Sequence, residues 1–284
     1  MIPTSFDYTR PSTVDEAVST LRAAGEDAKI LAGGQSLIPV LRLRLAAPST
    51  LIDLGGISDL VGIRSDGDSL VIGAMTSHAE VAASDLVRQH APMVAEAAQS
   101  IGDPQVRHMG TFGGSLSHAD PAGDLPSVAL ALDAAMVVAG PEGRREVAAG
   151  DFFTDHFTTV LGADEILVEV RVPKLAGWGM RYVKFNRVAQ AWAIVGVAAA
   201  VRRDNGGIAE ARVALTNMGP TPIRARGVEQ ALAGADADLD ALRAACETAA
   251  EGASPSSDVT ASAEYRGHLA KVLSRRAVAA AAGL

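Results

Sequence analysis

Two glycine-rich segments constrain this chain more than any other feature: Leu31-Ala-Gly-Gly-Gln-Ser-Leu, and the longer run Met109-Gly-Thr-Phe-Gly-Gly-Ser-Leu-Ser-His-Ala-Asp-Pro-Ala-Gly-Asp-Leu-Pro. The first lies between a short apolar run that reads as a strand, Lys29–Ala32, and an apolar stretch with helical spacing, Leu37–Leu45. Adjacent glycines permit left-handed backbone and let the main chain approach a ligand closely. Ser36 is placed to cap the following helix, and amide N–H groups at a helix start form a natural anion site. A Gly-Gly turn before a helix is also plain architecture, so this segment alone decides nothing.

The second segment sets Gly110, Gly113 and Gly114 beside the hydroxyls of Thr111, Ser115 and Ser117, with His118, Asp120 and Asp124 just beyond. Little in it has the character of a core. A polar, glycine-dense run of this length, in a chain that is 48% hydrophobic, reads as a ligand loop. Neither segment contains Lys or Arg, so a diphosphate held between them is held by backbone N–H groups, hydroxyls and dipoles. That differs from a Walker-type loop with its lysine, and the G-x-G-x-x-G fingerprint is absent. One histidine and two aspartates with no second cluster nearby do not make a metal site.

Other features exclude whole classes of function. The net charge is −8 with no basic block, which argues against a nucleic-acid partner. Cys246 is the single cysteine, so no internal disulfide forms; this fits a reducing, cytoplasmic setting. Iron–sulfur clusters need several thiolates, so any cluster that works with this chain sits on another one. No apolar run reaches the roughly 20 residues needed to span a bilayer. The stretch 189–201 ends at Arg202 and Arg203, and the N-terminus lacks the pattern of a signal peptide. No acid–base pair stands out, and no residue is assigned a catalytic role.

Three parts follow from the patterning. Ser12 and Thr13 precede the helix-spaced set Val14, Ala17, Val18 and Leu21, closed by Gly25; strands at Lys29–Ala32 and Leu51–Leu54 complete a small α/β unit over 1–56. A second part, 57–177, contains candidate strands Ser69–Gly73, Ala135–Ala139 and Glu165–Val172. Its candidate helices are Ser77–Arg88, Pro92–Ile101 and Pro126–Leu132. In the third, 178–284, Tyr182–Val188, Ala193–Val201 and Ile208–Leu215 read as consecutive strands. Asp204-Asn-Gly-Gly marks a hairpin there, and helices are expected over 224–233, 237–251 and 262–281. Strands followed by helices indicate a separate α+β domain.

At the glycine loops the chain becomes recognisable. AGGQSLIP at 32–39 and MGTFGGSLSHADPAGDLP at 109–126 resemble the two flavin loops of the medium, FAD-binding subunits of molybdenum hydroxylases. Within that family the resemblance is strongest to the aerobic carbon monoxide dehydrogenases. MIPTSFDYTRPSTVDEAV, LIDLGGISDLVGI, VIGAMTSHAEV, DPQVRHMGT and VALTNMGPTPIRA extend it over nearly the whole chain.

The resemblance implies an α+β fold: a two-part FAD-binding domain of the vanillyl-alcohol-oxidase type, then a smaller C-terminal α+β domain. It implies FAD with its pyrophosphate across Ala32, Gly33, Gly34, Gln35 and Ser36 on one side. Thr111, Gly113, Gly114 and Ser115 would face it on the other. By position, Ile30, Leu31, Ile101, His118, Asp124, Leu167 and Lys184 would also line the cofactor, with Trp192 beside the flavin ring. Electrons would come from a [2Fe–2S] small subunit after a molybdenum-cofactor large subunit oxidises the substrate, and pass through FAD to an external acceptor. The expected assembly is a dimer of heterotrimers in the cytoplasm, at most peripheral to the membrane through its acceptor. The chain departs from the family at Gln35, where histidine is common, at Ser115, where asparagine is common, and at Ala191, which replaces an acidic residue.

Plainer roles stand beside these. Asp124 could cap the helix after it, Lys184 could be a solvated strand residue, and Trp192 could be core. His118, His78, His90, His156 and His268 read as structural or surface residues apart from the flavin reading of His118. Cys246 reads as helix packing. Two other functions stand beside the electron-transfer subunit: a stand-alone flavin oxidase of the same fold, and a non-catalytic nucleotide-binding module. A medium subunit acting with an aldehyde or N-heterocycle hydroxylase is a variant of the first.

Overall fold

The computed structural model describes residues 2–284; Met1, the first residue of the N-terminal part expected above, lies outside them. The N-terminal part runs β1 (Asp7–Thr9), α1 (Val14–Ala24), β2 (Ala28–Leu31), α2 (Leu37–Arg42) and β3 (Thr50–Asp53). Helix α1 forms where its spacing places it. Thr13 accepts from the Glu16 amide at 3.2 Å, Val14, Ala17, Val18 and Leu21 are its buried face, and Gly25 closes it at φ 74°. The strands make a parallel sheet in the order β1-β3-β2. Helix α2 is shorter than the apolar pattern suggested, because the chain turns left-handed at Arg44, φ 57°.

The middle part contains β4 (Ile63–Asp66), β5 (Ser69–Gly73), α3 (His78–Ala83), α4 (Asp85–His90), α5 (Pro92–Ser100), α6 (Pro104–Met109), α7 (Phe112–His118) and α8 (Asp124–Ala131). It continues through β6 (Ala135–Gly140), β7 (Gly143–Ala148), α9 (Ala149–Phe152), β8 (Phe153–Asp155), β9 (Thr158–Thr159) and β10 (Ile166–Pro173). Its main sheet is antiparallel, β4-β5-β10-β6-β7. Strand β10 is buried on both faces. Ile166 and Val168 pack with the N-terminal part, while Leu167, Val170 and Val172 pack with the helices. A bulge between Leu167 and Glu169 shifts the alternation.

Two expectations are corrected here. The single helix over Ser77–Arg88 is two, because the Ser84 side chain accepts from the Val87 amide and starts a new helix. The second glycine segment is not a loop without core. Residues 112–118 are helical, and Phe112 and Leu116, four residues apart, are fully buried.

The C-terminal part comprises β11 (Trp178–Phe185), β12 (Val195–Asp204), β13 (Gly207–Thr216), β14 (Ile223–Arg224), α10 (Arg226–Leu232), α11 (Leu239–Cys246) and α12 (Ala263–Ala282). Its sheet is antiparallel in chain order, and Asn205 and Gly206 form the expected tight hairpin at φ 48° and 88°. One face of this sheet, with Val195, Val197, Val201, Val213 and Leu215, packs on α10–α12. The other face, with Met180, Tyr182, Ala198, Ala200 and Ala214, belongs to the core of the middle part. Among the described residues no helix is long and apolar enough to cross a membrane.

Candidate functional site

The two glycine segments meet. A Cβ on Gly33 would collide with the Met109 carbonyl oxygen and lie 2.7 Å from Gly110 Cα. A Cβ on Gly114 would lie 2.6 Å from Thr111 Oγ1 and 3.3 Å from the Ala32 Cβ. Gly34 is left-handed at φ 73°, whereas Gly33, Gly113 and Gly114 are not. Close approach, rather than backbone freedom, therefore explains three of the four glycines. Gly113 lets α7 lie against Ala74 just beyond β5, where a Cβ would come within 2.5 Å of that side chain.

The backbone donors are unevenly spent. In the second segment the Phe112 and Gly113 amides donate to Thr76 O and Ala74 O at 2.9 and 2.8 Å. The Gly114 amide reaches Thr111 Oγ1 at 3.2 Å, and the Ser115 amide donates to Thr111 O at 3.0 Å. In the first turn, among the described residues, the amides of Gly33, Gly34, Gln35 and Ser36 donate to no oxygen of the protein. Successive free amides in a turn form an anion-binding concavity. Ser36 does not cap α2: its backbone is already helical, φ −99° and ψ −45°, and its hydroxyl makes no capping bond.

Between these segments and the C-terminal sheet lies a cleft of about 790 Å³. Every residue expected around the cofactor lines it except Leu31. Leu31 ends β2 opposite Asp53, and its side chain lies beneath the turn, 3.4 Å from where a Gly34 Cβ would be. A buried ion pair forms part of the wall. Lys184 Nζ donates to Asp124 Oδ2 at 2.9 Å and to Ser100 O at 3.2 Å, and Tyr182 OH donates to Asp124 Oδ1 at 2.6 Å. The side chains of Lys184 and Asp124 are 7% and 3% exposed. Burial pushes the Asp124 carboxyl up, opposed by Lys184 and by the Tyr182 hydrogen bond; burial and the same carboxylate push the Tyr182 phenol well up.

The plainer readings of three residues fail. Asp124 is not a cap, since Gly123 holds the cap position and the carboxylate turns inward to Lys184. Lys184 is not solvated. Trp192 is 55% exposed and is not core. His118 lines the cleft with Nε2 4.0 Å from Asp120 Oδ2; burial lowers its pKa, and Asp120 partly opposes this.

Among the cleft residues that the sequence reading did not assign to the site, His78 and Phe157 stand out. His78 is 4% exposed, its Nδ1 has no hydrogen-bond partner among the described residues, and burial together with Arg107 lowers its pKa to about 4. The pattern Ser77-x-x-Glu80, a capping box in the structure, could have placed it in the first turn of a packed helix. Phe157, in the β8–β9 turn, is the second, and nothing in the sequence around it signals a site. Cys246 is buried in the helical core, and its thiol is pushed up to about 12.

Comparison with known proteins adds two family matches. Residues 4–175 match the model described as the FAD binding domain in molybdopterin dehydrogenase, and residues 180–281 match the CO dehydrogenase flavoprotein C-terminal domain. The chain is 42% identical to the carbon monoxide dehydrogenase medium chain of Hydrogenophaga pseudoflava, over 99% of this chain and 98% of that protein. It is 38% identical to the nicotine 6-hydroxylase medium subunit of Paenarthrobacter nicotinovorans, over 95% of each. Among solved structures, it superposes on the reconstituted CO dehydrogenase of Oligotropha carboxidovorans with a TM-score of 0.97 at 41% identity, covering 100% of this chain and 99% of that one. On quinoline 2-oxidoreductase from Pseudomonas putida 86 the TM-score is 0.95 at 34% identity, with the same coverage.

Proposed function

This chain belongs to the family of FAD-binding domains of molybdopterin dehydrogenases, and on that premise we propose that it is the FAD-binding medium subunit of a molybdenum hydroxylase of the carbon monoxide dehydrogenase kind. It passes electrons from a [2Fe–2S] small subunit through FAD to an external acceptor, while a molybdenum-cofactor large subunit oxidises the substrate. The observation that carries the proposal is the row of four amides from Gly33 to Ser36, unbonded among the described residues and facing a cleft of dinucleotide size. These donors suit a diphosphate that no Lys or Arg of either loop neutralises.

The site residues divide the work. The amides of Gly33, Gly34, Gln35 and Ser36 bind the diphosphate. Thr111, Ser115 and Gly114 bound it on the opposite side, with the hydroxyls of Thr111 and Ser115 contributing more than the amides of Gly114 and Ser115, which are already bonded within the protein. Ile30, Ile101 and Leu167 supply apolar wall, and Trp192 offers a flat face to the flavin ring. Lys184 has three ammonium protons, two of which are taken by Asp124 and Ser100; the third serves the cofactor. Bound FAD supplies the redox centre that this chain's side chains lack. The division 1–56, 57–177 and 178–284, a dimer of heterotrimers and a cytoplasmic location complete the reading.

Affinity purification from the native cells tests it. Two further chains, one rich in cysteine, and one FAD per medium chain are expected. The isolated FAD-loaded chain should accept electrons from dithionite but fail to oxidise carbon monoxide, aldehydes or N-heterocycles. Substrate turnover by the single chain would refute the reading.

A further inference from the structure

Three non-glycine residues with left-handed backbone are linked through the chain turn Ala119–Pro121, and one of them, Phe157, lines the cleft. Ala119, φ 51°, ends α7; Phe157, φ 52°, lies in the β8–β9 turn; Asn217, φ 62°, follows β13. They are tied to one turn of chain. The Phe157 amide donates to Ala119 O at 3.2 Å, and the Asn217 amide donates to Pro121 O at 2.8 Å. Asn217 Nδ2 donates to the carbonyl of Ala193, the residue after Trp192, at 2.7 Å. The Ala119–Pro121 turn is thus bonded to the segment carrying Phe157 and, through Asn217, to the residue next to Trp192.

Left-handed backbone is unfavourable for a bulky side chain, and such residues gather where a site demands them. Asparagine adopts this backbone more readily than most residues, and the short side chain of Ala119 sits at a helix end, where a left-handed residue is common. Neither reason applies to Phe157. The turn is held by His156 N donating to Asp155 Oδ1 at 2.8 Å and Thr158 Oγ1 donating to His156 O at 2.9 Å. Glycine or asparagine would serve that turn better. Yet Phe157 is 56% exposed, lines the cleft, and stands 5.1 Å from the His118 ring, which also lines it. The side chain therefore gains little from the protein's own core for the backbone conformation it imposes.

We propose that Phe157 is a ligand-contact residue, held left-handed so that its ring packs against one of the two heteroaromatic rings of the bound dinucleotide. This makes it a second aromatic face beside Trp192. The inference rests on the FAD reading above. Both the isoalloxazine and the adenine present the required π-face, and stacking of a base on an aromatic side chain is sequence-tolerant and strong enough to read by substitution.

Titration of the apo-protein with FAD, FMN and ADP, in the wild type and in Phe157→Gly, Phe157→Leu and Phe157→Tyr, tests the proposal. Tight FAD binding by the wild type is the control for the function itself; its absence would defeat that reading, not this one alone. Phe157→Gly and Phe157→Leu should weaken FAD about five- to a hundredfold, as expected for loss of one stacked ring, and Phe157→Tyr should retain affinity. Because glycine accepts φ 52° without strain, apo Phe157→Gly should melt no lower than wild type. A parallel loss with FMN identifies the isoalloxazine as the ring; a parallel loss with ADP and none with FMN identifies the adenine. Unchanged FAD affinity in the glycine and leucine variants overturns the proposal. So does a lower apo melting temperature in the glycine variant, which would make Phe157 a structural residue.

Discussion

Replacing His78 by leucine should remove a defined part of the protein's acid sensitivity. The imidazole is 4% exposed, its Nδ1 has no partner among the described residues, and burial, aided by Arg107, lowers its pKa from 6.5 to about 4. Above pH 6.5 the ring is neutral in both folded and unfolded chains. As pH falls from 6.5 toward 4, the unfolded chain takes up a proton that the folded chain refuses, so stability drains through that window and levels off below it. At about 1.4 kcal/mol per pKa unit, the shift corresponds to about 3 kcal/mol. Urea unfolding of the apo-protein at pH 7.5, 6, 5 and 4, with the m-value held as a check on mechanism, gives the comparison. The leucine variant should stay within about 1 kcal/mol of wild type at pH 7.5, since the substitution also removes an unsatisfied buried nitrogen. The difference should then grow in the variant's favour toward pH 4. Parallel curves for the two proteins would show that His78 protonates freely when folded and would refute the reasoning.

Removing one partner of the Asp124–Lys184 pair leaves a buried charge unpaired, so Asp124→Ala and Lys184→Met should each cost about 3–5 kcal/mol. The double variant should fall short of the sum by well over 0.5 kcal/mol in denaturant titrations, and additivity within that margin would show that the two do not interact. Gly114→Val should displace the Thr111 hydroxyl, which a Cβ would approach to 2.6 Å, and part Ala32 from the second segment. Flavin content should fall sharply while unfolding stays cooperative, and normal occupancy would remove Gly114 from the site. Trp192→Ala should brighten the bound flavin's fluorescence or alter its reaction with oxygen, and an unchanged spectrum and reactivity would separate Trp192 from the ring. All flavin should appear in the supernatant after acid precipitation; flavin retained in the pellet would indicate a covalent link.

Much of this architecture is legible in the sequence because its signals are local. Thr13, the spaced apolar residues after it and Gly25 define α1 almost to the residue, and Asp204-Asn-Gly-Gly defines a hairpin. Helix α7 was hidden because two glycines in its first turn disfavour a helix intrinsically. Burial of Phe112 and Leu116 and the packing of Gly113 on Ala74 override that preference. The cleft wall was half legible. Tyr182 and Lys184 stand two apart on β11 and so share a face; that both reach Asp124 depends on how the sheet docks on α8, which no local pattern encodes. Phe157 was illegible for the same reason: its role depends on a turn at Ala119 brought beside it by the fold.

The small side chains Ala198, Ala200 and Ala214 let α8 lie directly on the C-terminal sheet, so that one continuous core crosses from the middle part into the last hundred residues. Recombination between relatives is constrained accordingly. A crossover near residue 177 joins two halves whose packing surfaces must fit each other, and a larger residue at any of these alanines would wedge the halves apart. The same wedge would draw Lys184 from Asp124, so a chimera of this kind would first reveal its misfit in flavin retention rather than in loss of the fold.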